Sequence, residues 1–481
     1  MKTRDDTSAI LNRAKRMLAA QNAAEAMALV QSALRLDDRM EFRRLFVACL
    51  QAQPTLISDT TVQATLERAL VETWARPSIL SPCALPIVRS RIENAKVVSD
   101  ITGDRLLQTI LRLTPVSDVW LERILTKFRL SLLGAGEQDG KELGDKLDFA
   151  CAIASQCFIN EYVFDLSAEE GRRAKKLRDK LNEILKCSSA ARPILVAAVG
   201  AYFPLFSLDQ AEALLDQHWP DPIDHLLTLQ LREPMEERRL RSMIPNLTPT
   251  SALVSTVVRE QYEQYPYPRW MRLPAIPRSP TITAFIREIL PWSSLPTGTS
   301  GSPEAILIAG CGTGQHALTT AQRHHTSEVF AIDLSLAGLA FAKRKAQEVG
   351  LKNIQFAQAD MMELGSIGRS FDLVEAIGSL HHLADPKAGW KILASIVKPG
   401  GFMRLGLYSE KARHGIVQCR DLIARWGYQR TPEDVRRARQ RLLQHFGSQS
   451  LVFRSVDFFS ISGCIDLLFH VQEHRTTLPQ I

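Results

Sequence analysis

The most distinctive chemistry in this sequence lies in residues 305–317, where glycines at alternate positions follow an apolar run. The letters AILIA lead directly into Gly310, Gly312 and Gly314. Glycines at this spacing let the backbone adopt positive φ close to a ligand, and a helix that begins near Gln315 would offer free N–H groups. A dinucleotide site reads GxGxxG, whereas this turn reads GxGxG. The spacing favours a smaller nucleotide-type ligand and disfavours an NAD-linked oxidoreductase.

A carboxylate follows each of the next two predicted strands. The apolar run VFAI ends at Asp333, and a third run over 353–358 leads to Asp360 and Met361. Asp333 could accept hydrogen bonds from both hydroxyls of a ribose. Asp360 and Met361 could hold the amino edge and the face of an adenine. These positions predict a nucleoside site at one edge of a sheet.

Strands and helices alternate through this part of the chain. A helix is predicted over 337–350, and the fifth strand is entered through KPGG at 398–401. The alternation implies right-handed crossovers and a parallel sheet. The predicted strands lie at 305–309, 329–332, 353–358, 371–377 and 402–407.

Together, the glycine turn, the two acids and KPGG resemble a class I S-adenosylmethionine-dependent methyltransferase domain, over residues 304–409. The resemblance implies a Rossmann-like sheet, S-adenosyl-L-methionine as cofactor and methyl transfer to an unidentified acceptor. It implies that the cofactor contacts Gly310, Cys311, Gly312, Gly314, Asp333, Leu334, Asp360, Met361 and Gly378.

More of the chain is similar to a bacterial group in which a helical, tetratricopeptide-like region precedes such a domain. The phrases that carry this likeness are QCFINEYVF, EQYEQYPYPRW, GSLHHLADPKAGW, GLYSEKAR and LLFHVQEHRTTLPQI. Class I domains complete their sheet with two further strands after the fifth. Residues 409–481 lack a clear pattern for both, so we expect a truncated C-terminus and an exposed sheet edge.

The predicted fold class is α + α/β, in four segments. Residues 1–250 form a helical domain, with one tetratricopeptide-like pair near 8–38 indicated by Ala26, Val30 and Ala33. No recurrence of about 34 residues follows, so a regular solenoid is not predicted. An aromatic and proline-rich strap with a linker covers 251–303, the methyltransferase core covers 304–412, and a helical, substrate-side segment covers 413–481.

The strap concentrates aromatic residues ahead of the first strand. Pro266 and Pro268 exclude a regular helix there, so we expect an extended segment that presents its aromatic rings in fixed directions. It could cover the mouth of the cofactor site and attract a cation, or it could join the helical domain to the sheet. The candidate substrate residues are Tyr262, Tyr265, Tyr267, Tyr408 and Arg413.

Two histidines follow the fourth strand, where parallel sheets bind their ligands. His381 or His382 could accept a proton from an oxygen or nitrogen acceptor. The segment lacks the Asn/Asp-Pro-Pro-Tyr/Phe motif of enzymes that methylate planar amino groups. The pair His324-His325 is predicted to lie at the surface. Because no element shows metal-ligand spacing, no metal is predicted.

Composition sets broad limits on this chain of 481 residues. The net charge of +7 is mild, and no long apolar stretch or N-terminal signal segment indicates a membrane or export. The eight cysteines form no CxxC pair, so we expect reduced thiols in the cytoplasm. Residues 411–441 are rich in arginine. This pattern favours a solvated helix face over a nucleic-acid site.

Two functional hypotheses follow from the sequence. The first is an S-adenosylmethionine-dependent methyltransferase whose helical region and strap select the acceptor, which could be a protein or a small molecule. The alternative is a non-catalytic interaction protein, whose helical domain binds a protein partner and whose methyltransferase-like domain only binds cofactor.

Overall fold

The computed structural model describes residues 2–138, 146–249, 253–295, 303–447 and 450–481. Residues 296–302 of the predicted linker therefore lie outside the described residues. The chain divides into two compact units. We call Met1–Leu226 with Trp270–Ile276 the helical unit, and Leu227–Arg269 with Pro277–Ile481 the sheet unit. Residues 227–249 thus belong with the sheet.

The helical unit has a core of buried aliphatic and aromatic side chains. On its second helix Ala26, Val30 and Ala33 are fully buried, and this helix packs against the first. The tetratricopeptide-like pair stays a prediction. The helices of the helical unit are α1 Lys2–Ala19, α2 Ala23–Leu34, α3 Met40–Ala52, α4 Thr60–Val71, α5 Pro77–Glu93, α6 Val98–Thr102, α7 Arg105–Leu113, α8 Val119–Glu137, α9 Lys146–Ile159, α10 Ala168–Lys186, α11 Pro193–Gly200 and α12 Asp221–Leu227.

Within the N-terminal region the sequence also predicts helices over 62–72, 104–113, 119–133, 146–160 and 168–185. The structure confirms them as α4, α7, α8, α9 and α10. Their starts follow from capping side chains. The Asp104 carboxylate accepts from the Leu107 N–H at 2.9 Å, and the Asp118 carboxylate accepts from the Leu121 N–H at 2.8 Å. Such caps satisfy N–H groups that the first helical turn leaves without partners.

The sheet unit contains a parallel sheet in the order β3-β2-β1-β4-β5. Its strands are β1 Ala305–Ala309, β2 Glu328–Asp333, β3 Ile354–Gln358, β4 Phe371–Ile377 and β5 Val397–Gly406. Its helices are α13 Glu233–Arg241, α14 Leu253–Gln264, α15 Ile282–Ile289, α16 Gln315–Arg323, α17 Leu336–Glu348, α18 Pro386–Ser395, α19 His414–Trp426, α20 Pro432–Phe446 and α21 Ile461–Leu468. The predicted α + α/β class and the five strands are confirmed.

A buried glutamate lies inside this sheet. Glu375 of β4 is 1% exposed. One of its oxygens bonds to His316 Nε2 and to the Thr320 hydroxyl, each at 2.9 Å, and Arg404 donates to the other at 3.2 Å. Burial acts to raise the pKa of Glu375, but these partners hold it at about 2. The carboxylate thus joins α16, β4 and β5.

Two predicted elements differ from the structure. The sequence has one strand-like run in its last part, over 451–459, but these residues form two 3₁₀ turns, Leu451–Arg454 and Val456–Phe459. Local bonds such as Phe458 N–H to Ser455 C=O, 3.2 Å, close these turns. Tyr262 lies in helix α14 and not in an extended strap. The helix ends before Pro266, which disfavours the helical conformation in the residue that precedes it.

Two predicted surface positions are also wrong. His324 is 1% exposed, and its ring packs edge-on against Phe285 with centroids 5.3 Å apart. Arg439 of α20 is fully buried. Its Nε donates to the Phe458 carbonyl at 2.6 Å, so a backbone acceptor compensates for burial of the guanidinium.

All eight cysteines are free thiols, and each is buried except Cys187. Within the described ranges, every helix is too short or too polar to span a bilayer.

Candidate active site

The glycine turn between β1 and α16 has the conformation expected from its spacing. Gly310, Gly312 and Gly314 have φ of +77°, +53° and +81°. A Cβ on Gly310 would lie 2.4 Å from Ser379 Cβ, and one on Gly312 would lie 2.5 Å from the Tyr267 carbonyl oxygen. Both conformation and close packing therefore require glycine here. The neighbour of Gly312 is the protein's own backbone, which the sequence did not predict.

Asp333 ends β2 beside this turn. One carboxylate oxygen accepts from the Gly312 N–H at 2.7 Å, and the other accepts from the Ser335 N–H at 2.9 Å. Burial raises the pKa of Asp333, while these backbone donors act to lower it. The Leu334 N–H is a third backbone donor to this carboxylate. A carboxylate has about four acceptor sites, so Asp333 can still accept from a ligand hydroxyl.

Asp360 follows β3 and starts a 3₁₀ turn. Its Oδ1 accepts from the Met362 N–H at 3.0 Å, and its own N–H donates to the Thr248 hydroxyl at 2.7 Å. Its Oδ2 has no hydrogen-bond partner among the described residues and can accept from an amino group. Nearby, the Met361 methyl lies 3.4 Å from the Cβ position of Gly310. The space beside Gly378 at the end of β4 is open for 4 Å.

Cys311 lies in the same turn but is not set up as a nucleophile. Its side chain is 7% exposed, and burial raises the pKa of its thiol well above the ordinary value. The protonated thiol is a small packing group.

Helix α14 and the strap, residues 265–269, hold the two loops of this site. Glu263 accepts from the Leu336 and Ala337 N–H groups at 2.8 and 3.0 Å, and so caps α17. The Ser335 hydroxyl donates to the Tyr262 carbonyl at 3.0 Å. The Tyr267 carbonyl accepts from the N–H of the glycine turn's Thr313 at 3.2 Å. The strap thus packs on the glycine turn through its backbone.

Tyr262 of α14 and Tyr267 of the strap also contact the last part of the chain. The Tyr262 hydroxyl donates to Asp466 at 2.7 Å and lies 3.1 Å from His470 Nε2. The Tyr267 hydroxyl donates to Asp457 at 2.9 Å. Burial raises the pKa of Asp457 and that of Asp466, the latter to about 7. Neither aspartate forms an ion pair with a described residue.

His381 and His382 follow β4 and enter the same region. The His382 ring stacks on His470 with centroids 3.6 Å apart, and the His381 ring stacks on Tyr408 at the same spacing. The Arg413 guanidinium lies 3.9 Å from the Tyr408 ring centroid. We call this set the tyrosine–histidine cluster: Tyr262, Tyr267, His381, His382, Tyr408, Arg413, Asp457, Asp466 and His470.

The two histidines have different hydrogen bonding. His382 Nδ1 donates to the Gln472 carbonyl at 2.8 Å, which leaves Nε2 as the lone-pair nitrogen. Neither ring nitrogen of the buried His381 has a partner among the described residues. Burial lowers the pKa of His382 to about 4 and that of His381 to about 2. Both rings are therefore neutral at pH 7.

The buried carboxylate of Glu473 orders the arginines beside the cluster. Glu473 accepts from Arg413 at 2.6 Å, from Arg420 at 2.9 Å and from Arg475 at 3.3 Å. Burial acts to raise the pKa of Glu473, but the arginines hold it below the usual value. Arg413 Nε remains buried without a partner among the described residues. Arg475 also pairs with Glu410 at 3.2 Å, so the arginines are shared among several carboxylates.

His382, Asp466 and His470 bring one potential metal-ligating atom each within 4.8 Å of one another. Two of them are linked through Tyr262, whose hydroxyl donates to Asp466 and lies 3.1 Å from His470 Nε2. The two imidazole planes lie 12° apart in a stack, so a shared ion would lie outside both ring planes, away from the lone pairs. His470 Nδ1 accepts from the Gln472 N–H at 3.0 Å, so Nε2 carries the proton that faces Tyr262.

The structure brings together most of the residues singled out in the sequence. The predicted substrate residues Tyr262, Tyr267, Tyr408 and Arg413 meet the two histidines in the cluster. Tyr265 is partly exposed, and its N–H donates to the Gln261 carbonyl at 2.9 Å. Sequence reasoning missed Asp457, Asp466, His470 and Glu473. These residues are distant in sequence from the tyrosines and histidines that they contact. The one signal that could have indicated them is the presence of several polar residues in an otherwise apolar segment.

Comparison with known proteins gives this arrangement a family. Residues 306–401 match the family described as methyltransferase domain. This segment is a methyltransferase domain. It is of the class I, Rossmann-like, S-adenosylmethionine-dependent type, which confirms the resemblance of residues 304–409 and its cofactor. The likeness of the rest of the chain to a bacterial group with a helical, tetratricopeptide-like region stays a prediction. The match covers the glycine turn, β1 to β4 and the start of β5.

Three curated relatives are similar to part of the chain. An uncharacterized protein of Synechococcus sp. is 38% identical over 25% of this chain and 29% of its own. The ubiquinone biosynthesis O-methyltransferase of Acinetobacter baumannii is 33% identical over 20% of this chain and 40% of its own. The tRNA 5-carboxymethoxyuridine methyltransferase of Escherichia coli is 32% identical over 23% and 42%. The chain thus spans less than half the length of each relative.

Proposed function

We propose that the sheet unit transfers a methyl group from S-adenosylmethionine to an acceptor held at the tyrosine–histidine cluster. The observation that carries this proposal is the arrangement of these residues at the carboxyl ends of the parallel strands. The glycine turn, Asp333 and Asp360 follow β1, β2 and β3, whereas His382 and Tyr408 follow β4 and β5. Open parallel sheets bind ligands beyond the carboxyl ends of their strands, at the position where the strand order reverses. Here that position lies between β1 and β4.

The residues fit this cofactor by their chemistry. Asp333 retains acceptor capacity for a ribose hydroxyl, and Asp360 Oδ2 is free to accept from the adenine amino group. Met361 offers an apolar surface, and the open space beside Gly378 lies at the end of β4. When bound, S-adenosylmethionine supplies a methyl group on a positively charged sulfur.

His382 is the better proton acceptor of the two histidines. Its Nδ1–H is fixed by the Gln472 carbonyl, so the Nε2 lone pair has one orientation and no partner among the described residues. With its pKa lowered to about 4, the ring is unprotonated at pH 7. His381 is instead enclosed between His382 and Tyr408. We assign His382 to accept a proton from an attacking oxygen or nitrogen, and His381 to packing.

Tyr408 and Arg413 are positioned to orient the acceptor. The Tyr408 hydroxyl has no hydrogen-bond partner among the described residues, and burial raises its pKa, so it stays a donor at neutral pH. Arg413 is anchored by Glu473 and stacked on Tyr408, with Nε left over. An acceptor molecule with a hydrogen-bond-accepting oxygen or nitrogen next to its attacking atom could bind both the Tyr408 hydroxyl and Arg413 Nε.

Calorimetric titration of the full chain with S-adenosylmethionine and S-adenosylhomocysteine tests the cofactor site. We expect binding with a Kd on the order of micromolar, the range of ordinary substrate affinities. Asp333→Ala should weaken it about 10- to 100-fold, because charge-assisted hydrogen bonds to the ribose are lost. Asp421→Ala, an exposed change on α19, is the matched control and should leave affinity unchanged.

Binding followed by formation of S-adenosylhomocysteine with an acceptor fraction from bacterial extract would support methyl transfer. Binding without turnover on any fraction would favour the non-catalytic hypothesis. Absence of binding by folded protein, checked by circular dichroism, would contradict the proposed site.

A further inference from the structure

A groove of about 750 Å³ runs along the free edge of β3, away from the active site. Phe356 and Leu351 line it together with Phe330 and Ile367. Phe330 is paired in register with Gln355, and successive side chains of a strand point to opposite faces. Residues from both faces of the sheet therefore line the groove, so it follows the strand edge.

The edge of β3 in this groove offers backbone groups without partners. At its end, the Gln358 N–H donates to the Pro245 carbonyl and the Gln358 carbonyl accepts from the Leu247 N–H, both at 2.9 Å. Ile354 and Phe356 have the same orientation as Gln358, away from β2. Their N–H and C=O groups have no partner among the described residues. A short segment of chain could pair here in line with residues 245–247.

The charge of the groove has one sign. Lys343 and Arg369 line it, and no aspartate or glutamate does so among the described residues. The Lys343 ammonium donates to the Met243 carbonyl at 3.2 Å. The exposed Arg369 guanidinium lies 4.5 Å from the Phe330 ring centroid and has no carboxylate partner among the described residues. The two cations flank an apolar strand edge.

We propose that this groove binds an extended peptide segment that carries acidic side chains, which adds to β3 as a further strand. The free backbone groups would provide hydrogen bonds, Phe356 and Leu351 would contact apolar side chains, and the two cations would select acidic ones. A second copy of the same edge fits less well. Symmetric pairing would bring Lys343 and Arg369 of both copies together, at a cost in repulsion.

Fluorescence anisotropy with the full chain tests this inference. The probe is a labelled peptide of alternating valine and threonine with glutamate at both ends, and the matched peptide has lysine in place of glutamate. We expect saturable binding of the acidic peptide only. The double variant Lys343→Gln, Arg369→Gln should weaken it roughly tenfold, from two exposed ion pairs. Lys391→Gln changes an exposed lysine on α18, is the control, and should leave the affinity for the peptide unchanged.

Two further measurements test the strand pairing. The same peptide, N-methylated at the alternate amides that face β3, should bind about tenfold more weakly, because it can no longer donate hydrogen bonds to the strand. Ile354→Pro should do the same while leaving the sheet intact, since Ile354 begins β3 and its N–H faces away from β2. Retained S-adenosylmethionine affinity would show that the variant is folded.

Equal binding of the lysine peptide, or no binding at millimolar concentration, would overturn the proposal. So would insensitivity to both N-methylation and Ile354→Pro. A concentration-dependent dimer in sedimentation that Ile354→Pro abolishes would assign the groove to a second copy instead. None of these outcomes depends on methyl transfer.

Discussion

Replacing Asp466 by asparagine should stabilise the sheet unit increasingly as the pH rises. The side chain is 4% exposed, and burial raises its pKa from 3.8 to about 7, against the hydrogen bond from Tyr262. Because the folded pKa is the higher one, this group's contribution is fully present below about pH 4 and is lost as the pH rises through 7. Each unit of difference is about 1.4 kcal/mol, so the loss is on the order of 4 kcal/mol.

The assay is chemical unfolding of wild type and Asp466→Asn at several pH values between about 5 and 8. The asparagine carbonyl can still accept from Tyr262, so the change removes the charge and keeps an acceptor. The difference in free energy of unfolding should widen by a few kcal/mol over this range. Asp421→Asn, on the exposed side of α19, should give a constant difference. A constant difference for Asp466→Asn as well would refute the assignment of a buried, ionising carboxyl.

Three further outcomes are expected. Gly312→Ala should lower cofactor affinity in calorimetry and expose the strap to limited proteolysis, because the new Cβ would lie 2.5 Å from the Tyr267 carbonyl oxygen; unchanged affinity and proteolysis would contradict the packing described. His382→Ala should reduce kcat about 100-fold or more, with unchanged binding of S-adenosylhomocysteine, if it accepts the proton; an unaltered kcat would return the role to another group. Glu375→Gln should lower the free energy of unfolding by about 3 kcal/mol at pH 7 and by less near pH 2, because the pKa of Glu375 is depressed to about 2 and its contribution to stability is lost as the pH falls. Chemical unfolding at several pH values measures this, and an equal loss at pH 7 and near pH 2 would count against the ion pairs.

The sequence was sufficient to predict the elements that obey local rules. The strand ends at Asp333 and Asp360 follow from apolar runs of regular length, and the glycine turn follows from a spacing with one geometric reading. The helices of the N-terminal region follow from capping residues and apolar periodicity. In each case the signal lies within one element, so contacts elsewhere in the fold could not reverse it.

The contacts between distant segments could not be predicted in the same way. Nothing near Asp466 in the sequence indicates Tyr262 as its partner, and Glu473 gains its three arginines only through folding. Arg439 was placed on a solvated face because helical periodicity does not register the Phe458 carbonyl that pairs with it. The chemistry of the cluster therefore depends on tertiary structure, whereas the cofactor turn is largely local.

The capping of α17 by Glu263 bears on how this methyltransferase domain can be divided. The family match begins at residue 306, but the carboxylate that completes the start of α17 belongs to α14, more than one helix earlier in the chain. A fragment cut at the start of the match would lose this cap and the carbonyl groups that bind Thr313 and Ser335. A fragment that is to keep these contacts must therefore include α14 and the strap.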